Sequence, residues 1–365
     1  MIKTPRPQSQ FSMAMANFGR NRLSVVCLVI VALMYIAAAF AGFLAPYRHD
    51  SENRSHSYAP PSAVHFFDEN GLAWPYVHDV KFTFDKYHKR IYFEDTSRKF
   101  SLRFFPEGEE YKLLGFIPAS RHVFGAEGGA RVYLLGADSR GRDLFSRLLY
   151  GGQVSLSIGL IGVGISFTLG LLIGGISGYY GGRVDDILMR VCEMFMMVPG
   201  FYLILALRSA VPDNFNSLQV YLSIVVILSF IGWAGLARII RGMAISLRER
   251  EYVLAARALG LSDLQIITRH ILPHTVSYSI VAIMLSIPGY ILGEAALSLI
   301  GLGIQDPIAS WGNMLSEAMA IAHIQMHPWV LVPGAAIFVT VICFNVVGDG
   351  LRDSLDPMIK GEARQ

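Results

Sequence analysis

Six apolar segments, each long enough to cross a lipid bilayer, limit the folds open to this 365-residue chain. A helix that spans the hydrocarbon core needs about 20 predominantly apolar residues. The segments cover residues 23–45, 154–178, 187–207, 219–240, 276–300 and 329–347. Hydrophobic residues make up 53% of the chain and charged residues 16%, which is typical of a membrane protein. We therefore predict an all-α integral membrane protein with six transmembrane helices.

The placement of arginine and lysine predicts how these spans are oriented. The loop between the fourth and fifth spans carries Arg238, Arg241, Arg248, Arg250, Arg257 and Arg269. Residues 209–218 and 301–328 contain neither arginine nor lysine, so they fit the outer side of the membrane. Basic residues also follow the last span, at Arg352, Lys360 and Arg364. Six spans with both termini in the cytoplasm satisfy the positive-inside rule, whereas five would place the C-terminal charges outside.

The N-terminal part of the chain is predicted to stay attached to the protein. Residues 1–22 form a basic cytoplasmic segment, and residues 23–45 form the first transmembrane helix. This apolar run is longer than the hydrophobic region of a signal peptide, which favours a retained span.

Residues 46–135, between the first and second spans, differ in character from the rest of the chain. They are polar and aromatic, with alternating runs such as KFTFDKYHKRIYFED that predict β-strands. We therefore predict a small β-containing extracytoplasmic insertion. Its histidines lack metal-ligand spacing, and it contains neither G-x-S-x-G nor H-E-x-x-H, so we predict no metal site and no catalytic residue. A docking or shielding platform is the expected role.

Residues 136–153 lead from the insertion into the second span. Their charges alternate in sign, at Asp138, Arg140, Arg142 and Asp143. We predict an interfacial amphipathic segment with these charges in water. A core of five spans over residues 154–351 and a cytoplasmic tail over residues 352–365 complete the chain.

A cytoplasmic loop over residues 241–275 carries the strongest indication of function. Its sequence REYVLAARALGLSDLQIITRHILP predicts two short helices. Gly260 stands where a helix C-terminus favours positive φ, and Ser262 with Gln265 has the spacing of a capping box. Four residues would share one exposed face of the first helix: Tyr252, Ala255, Ala256 and Leu259. A face with small residues allows another protein to approach closely.

This loop resembles the EAA loop of ABC-transporter membrane subunits, whose pattern is E-A-A-x3-G-x9-I-x-L-P. Five residues fall in register with that pattern: Ala255, Ala256, Gly260, Leu272 and Pro273. Leu254 and His270 depart from it, in the places of the glutamate and the isoleucine. Taken alone, the stretch could also be an ordinary basic loop between spans.

Three further stretches narrow the resemblance to the dipeptide/oligopeptide (OppC/DppC-like) branch of these permeases. Residues 136–151 match the run G-x-D-x-x-G-R-D-x-x-S-R-x-x-x-G that precedes the second span in oligopeptide permeases. Residues 294–315 and 348–357 are also similar to sequences that dipeptide-type permeases carry at these places. The resemblance covers residues 134–357, and it implies a type I importer fold with a MetI-like transmembrane domain.

The resemblance also implies a function and a set of partners. The chain would form half of the translocation pathway of an ATP-driven importer for dipeptides, oligopeptides or peptide-like solutes in the cytoplasmic (inner) membrane. It would act with a second permease subunit, two cytoplasmic ATP-binding subunits and an extracytoplasmic solute-binding protein, in contact with membrane lipid but not with nucleic acid. The chain has no G-x-x-x-x-G-K-[ST] loop, so ATP would bind only to partner subunits and no cofactor is expected here. The residues implied in ATPase coupling are Glu251, Tyr252, Ala255, Ala256, Arg257, Gly260, Leu272 and Pro273.

Some alternatives stay open on sequence alone. A self-sufficient secondary transporter or channel is the rival function, although the chain shows no convincing inverted repeat. Glu294, deep in the fifth span, either lies beside the translocation path or makes a polar contact between helices. Arg190 and Glu193 are three residues apart and are predicted to form an ion pair.

Overall fold

The computed structural model describes residues 15–68, 71–87, 90–212 and 214–355. The first 14 residues of the predicted N-terminal segment lie outside these ranges, as do Lys360 and Arg364 of the predicted tail. The described chain is mostly helical. Its principal helices are α1 Arg22–Ala39, α2 Leu144–Tyr180, α3 Gly182–Met197, α4 Gly200–Ser209, α5 Ser217–Leu247, α6 Glu251–Ala258, α7 Asp263–Ile266, α8 Leu272–Leu299, α9 Trp311–Leu315, α10 Ile321–Met326 and α11 Val332–Leu355.

In the described part of the chain, five helical stretches are long and apolar enough to cross a membrane. They are α1, α2, α5, the stretch Asp263–Leu299 and the stretch Pro328–Leu355. The pair α3 and α4 makes a sixth candidate if it counts as one broken span. The structure thus agrees with the predicted mostly helical membrane protein of up to six spans.

The predicted third span over residues 187–207 is not one continuous helix. Helices α3 and α4 meet at an angle of 88°. Val198 between them has extended backbone, with φ −82° and ψ 123°, and Pro199 follows it. Proline lacks an amide hydrogen and disfavours helical backbone in the residue before it, so the break falls where the sequence requires it.

The insertion after α1 contains two antiparallel sheets, so the predicted β-containing insertion is confirmed. The strands are β1 His65–Asp68, β2 Gly71–Phe84, β3 Arg90–Phe104, β4 Glu107–Leu113, β5 Ile117–Arg121 and β6 Phe124–Ala126. Four strands form a sheet in the order β1-β2-β3-β6, while β4 and β5 form a separate hairpin. His122, which follows β5, places its Nδ1 atom 2.5 Å from the carbonyl oxygen of Ala45. The hairpin therefore rests on the chain just after the first span.

Small residues bring α2 and α5 into close contact. A Cβ atom on Gly174 would lie 2.5 Å from the carbonyl oxygen of Ala237, and one on Gly178 would lie 2.5 Å from that of Arg241. Such close backbone approach is typical of helix packing in membranes, where apolar side chains gain little by leaving lipid. Helix α8 packs against α2 and α11, and α1 packs against α11.

Candidate functional site

The helix pair in the loop between α5 and α8 has the local geometry that its sequence predicts. Helix α6 begins after Arg250, and Gly260 follows its end with φ +79°. Ser262 and Gln265 form a capping box, with side-chain bonds in both directions, at the start of α7. The predicted glycine conformation and capping box are both confirmed. One π-helical turn, Ile267–Ile271, then joins α7 to α8.

The helix pair packs on a small apolar cluster that is separate from the main core. Val253 and Ala256 of α6 are buried there with Ile266, Ile267 and Ile271. Tyr179, at the C-terminal end of α2, and Ala244, near the C-terminal end of α5, belong to the same cluster. The position of α6 is therefore fixed relative to α2, α5 and α8.

The prediction that Ala256 lies on the exposed face of α6 is wrong. Ala256 is only 5% exposed, because Val253 and Ala256, three residues apart, share the face that packs on the cluster. Ala255 is exposed on the other side of the helix. Tyr252 and Leu259 are exposed as predicted, at 39% and 80%, and Leu254 and Leu264 are exposed with them, at 51% and 64%. An exposed apolar patch of this kind is typical of a protein–protein contact.

The other predicted coupling residues surround this patch. Arg257 lies with its guanidinium 5.9 Å from the ring centre of Tyr179, and Tyr252 packs against His274 with ring centres 5.1 Å apart. Glu251 is exposed in the first turn of α6. Leu272 is half-buried and Pro273 is exposed at the start of α8. The structure thus brings the eight predicted residues into one region. Some of them are exposed on its surface, and others are buried or half-buried beneath it.

An ion pair between the buried Asp185 and the half-buried Arg241 could not be predicted from the sequence. Arg241 of α5 donates from Nε to Asp185 Oδ1 and from Nη2 to Asp185 Oδ2, each over 2.5 Å. Ser177 of α2 donates to the same carboxylate. Three helices are therefore joined at one aspartate. The sequence places Asp185 in an amphipathic helix, but it does not reveal the partner Arg241, which lies 56 residues away.

The charges of residues 136–153 do not lie in water, so that prediction is wrong for most of them. Asp138, Arg142, Asp143 and Arg147 are all buried. Arg142 Nε donates to Asp138 Oδ2 over 2.6 Å, and its Nη1 donates to Asp306 Oδ1 over 2.8 Å. Asp306 belongs to the loop after α8, which sequence reasoning could not pair with this segment. Buried charges persist because they are paired with one another.

Burial raises the pKa values of the carboxyl groups in this network, whereas hydrogen bonds and neighbouring arginines lower them. Desolvation raises the pKa of Asp143 to about 6, although its carboxylate caps α2 by accepting from the Ser146 amide and hydroxyl. Burial also acts to raise the pKa of Asp306, but the hydrogen bond from Arg142 and the neighbouring arginines lower it overall. Because Arg142 binds both Asp138 and Asp306, it holds the segment before α2 against the loop after α8.

Glu294 is fully buried in α8, and serine hydroxyls surround its carboxylate. Ser298 and Ser310 each donate to Oε1 over 2.7 Å, and Ser155 of α2 donates to Oε2 over 3.2 Å. These bonds join α2, α8 and the residue that caps α9. Of the two alternatives left open by sequence, the geometry favours the polar contact between helices. The predicted pair Arg190–Glu193 is confirmed as an exposed contact of 3.4 Å.

The fold is that of a multi-span membrane protein, and comparison with known proteins defines its class. Residues 170–361 match the family described as "Binding-protein-dependent transport system inner membrane component". Residues 9–61 match the family described as "N-terminal TM domain of oligopeptide transport permease C". The chain belongs to the family of binding-protein-dependent transport system inner membrane components and is a multi-pass inner-membrane protein.

Individual relatives are permease proteins of transport systems. The oligopeptide transport system permease protein OppC of Haemophilus influenzae is 41% identical over 226 residues, which cover 62% of this chain and 70% of the relative. OppC of Bacillus subtilis is 29% identical over 348 residues, covering 95% and 89%. The glutathione transport system permease protein GsiD of Pectobacterium atrosepticum is 39% identical over 234 residues, covering 64% and 75%. Among solved structures, the MetNI methionine ABC transporter is similar at 15% identity and a TM-score of 0.44, over 57% of this chain and 96% of that one.

Proposed function

We propose that this chain forms half of the translocation pathway of an ATP-driven importer for peptides. In this proposal it pairs with a second permease subunit, binds two cytoplasmic ATP-binding subunits, and receives peptide from an extracytoplasmic solute-binding protein. Both termini lie in the cytoplasm, and the chain holds no cofactor. The names of the relatives, which are oligopeptide, dipeptide and glutathione permeases, support the peptide class of substrate.

The observation that carries the proposal is the exposed apolar surface of α6 and α7 above its buried cluster. Leu254 and Leu259 offer apolar area to a partner, and Ala255 leaves room for that partner to come close. The cluster beneath includes Tyr179 of α2 and Ile271 next to α8. A force applied to α6 by an ATPase would therefore move the inner ends of α2 and α8 with it. Packed interiors transmit such displacements because they deform little.

The proposed coupling residues then divide into two roles. Glu251, Tyr252, Ala255, Arg257 and Gly260 form or border the contact surface. The remaining three support it: Ala256 is buried on the face of α6 that packs on the cluster, Leu272 is half-buried, and Pro273 lies at the start of α8. Gly260 allows the turn between the helices, since φ +79° disfavours side chains with a Cβ atom.

Ala255→Asp tests this proposal in the complete transporter, reconstituted with its partner subunits in liposomes. A carboxylate buried without a partner at an interface costs at least about 1.4 kcal/mol, so ATPase binding should weaken about tenfold or more. Peptide uptake should fall with it, while the amount of folded chain stays unchanged. Ala322→Asp is the matched control, because Ala322 is an exposed helical alanine in α10, on the proposed outer side.

Two outcomes would contradict the proposal. Normal ATPase binding and uptake by Ala255→Asp would remove the coupling role of α6. Uptake by the purified chain without any ATP-binding subunit would instead support the rival secondary transporter or channel.

A further inference from the structure

A polar cavity of about 470 Å³ lies between α5 and α3, which is the first half of the broken span. Its lining residues are Asp186, Met189, Arg190, Glu193, Arg238 and Arg241. Five of the six are charged and both signs are present. The volume lies within the range of about 300–1,000 Å³ that small-molecule sites occupy. The cavity is separate from the coupling surface on α6 and from the buried charges near Asp306.

Arg238 lines this cavity without an ion pair to any of the described residues. Its Nη1 atom lies 3.9 Å from Met196 Sδ, and among the described residues no Asp or Glu oxygen lies within 4.0 Å of its guanidinium. The neighbouring Arg241, by contrast, is bound by Asp185 through two hydrogen bonds. Arg238 stands nine residues before the end of α5, about 14 Å from its inner end at 1.5 Å per residue. Its side chain is exposed, and a guanidinium without a carboxylate beside it can form charge-assisted hydrogen bonds with an anionic ligand.

The surroundings of Arg238 suit a ligand that carries both charges and variable side chains. Asp186 and Glu193 line the same cavity, and Glu193 forms an exposed contact of 3.4 Å with Arg190. Next to them on the same face of α3 lie Met194 and Met197, which are 69% and 82% exposed. Methionine is flexible and polarizable, so methionine-rich surfaces adapt to ligands of different shape.

We infer that this cavity is a peptide site near the cytoplasmic end of the translocation pathway. Arg238 pairs with the C-terminal carboxylate of the peptide, and Asp186 with Glu193 attracts its N-terminal ammonium group. The exposed methionines of α3 contact the peptide side chains without selecting among them. This inference rests on the proposed function, because it names the part of the pathway that holds the peptide before release.

The test uses the complete transporter in inverted membrane vesicles, where the cytoplasmic side faces the medium and no solute-binding protein is needed. Met194→Cys introduces a thiol beside the cavity, and the rate at which a membrane-impermeant maleimide modifies it is measured. Wild-type chain gives the background, since Cys27, Cys192 and Cys343 are buried. The probes are trialanine and trialanine amide, which differ only in the terminal carboxylate.

Trialanine is expected to slow modification, and the amide should need an at least about tenfold higher concentration for the same protection, because a charge-assisted bond is lost. Adding Arg238→Gln should abolish this difference between the probes, whereas Arg238→Lys should retain part of it. Arg183→Gln is the matched control, since Arg183 is an exposed cation of α3 that does not line the cavity. It should leave the protection unchanged.

Three results would overturn the inference. They are equal protection by both probes, protection that survives Arg238→Gln, and a thiol that is modified in the isolated chain but shielded in the assembled transporter without peptide. The last result would mean that the second permease covers the cavity. Uptake of trialanine by the wild-type transporter is measured in parallel in liposomes, with the solute-binding protein supplied on the side from which peptide is taken up. Normal uptake without protection refutes this site alone, while absence of uptake refutes the proposed function.

Discussion

The contact between α2 and α5 allows a quantitative test of the packing, through Gly174→Ala. The added Cβ atom would lie 2.5 Å from the carbonyl oxygen of Ala237 and 2.8 Å from the Cβ atom of Ile240. Neither neighbour can rotate away, because one is a backbone atom and the other is fixed to the backbone. The two helices must therefore separate, and overpacking of this kind costs about 1–3 kcal/mol.

Gly164→Ala on the same helix is the matched control. No atom lies within 4 Å of the position that its Cβ atom would occupy. Both variants gain the same helix propensity of alanine over glycine, about 0.5–1 kcal/mol, so their difference isolates the packing cost. We expect Gly164→Ala to be as stable as wild type or more stable, and Gly174→Ala to be less stable than Gly164→Ala by about 1–3 kcal/mol.

Thermal unfolding in detergent can be followed with a dye that fluoresces on reaction with thiols. The three cysteines of the chain are all buried, so they report the loss of the folded core. The expected order of midpoints is Gly164→Ala above Gly174→Ala. A midpoint for Gly174→Ala equal to or above that of Gly164→Ala would show that α2 and α5 do not pack as described.

Three further predictions use the same assay. Arg142→Met should cost about 1.5–3 kcal/mol because it removes the bonds to the buried Asp138 and to Asp306, although Arg147 stays 3.6 Å from Asp138. Arg190→Met, in an exposed pair, should cost at most about 1 kcal/mol, and similar midpoints for the two would contradict this. Burial raises the pKa of Asp143 to about 6 in the folded chain, so its contribution to stability is complete below about pH 4 and is lost as the pH rises through about 6. Asp143→Asn keeps a side chain that can cap the helix and should flatten this dependence; an unchanged pH profile would show that another group causes it. Glu294→Gln should keep peptide uptake near the wild-type rate, since its contacts are structural, and loss of uptake at an unchanged midpoint would instead place Glu294 on the pathway.

Much of the architecture could be predicted because the bilayer and the backbone impose local rules. An apolar run of sufficient length must form a helix in lipid, since it has no other way to satisfy its backbone groups. Alternating side chains in the insertion predicted strands for a similar reason, because a strand turns successive residues to opposite faces. Gly260 and the capping box at Ser262 were predictable from neighbours within a few residues.

The predictions that were wrong concerned contacts between distant parts of the chain. Ala256 was placed on the exposed face because the sequence does not reveal that α6 rests on Ile266 and Ile267. The charges near Arg142 were placed in water because their partner, Asp306, lies more than 150 residues away. Helical spacing gives the relative positions of side chains on a helix, but it does not say which side the rest of the protein covers.

The amino-acid sequence by itself determined the membrane class, the apolar segments that form the candidate spans, the β-containing insertion and the resemblance to the family. These properties follow from length, periodicity and short-range motifs. The orientation of the spans stays a prediction. Only the tertiary structure decided that α3 and α4 meet at nearly a right angle and that the Glu294 carboxylate lies among three serines. It also decided that Arg238 lines a cavity without an ion pair to any described residue. The physical reason is that burial, pairing and helix crossing depend on which distant surfaces meet, and no single segment of the chain contains that information.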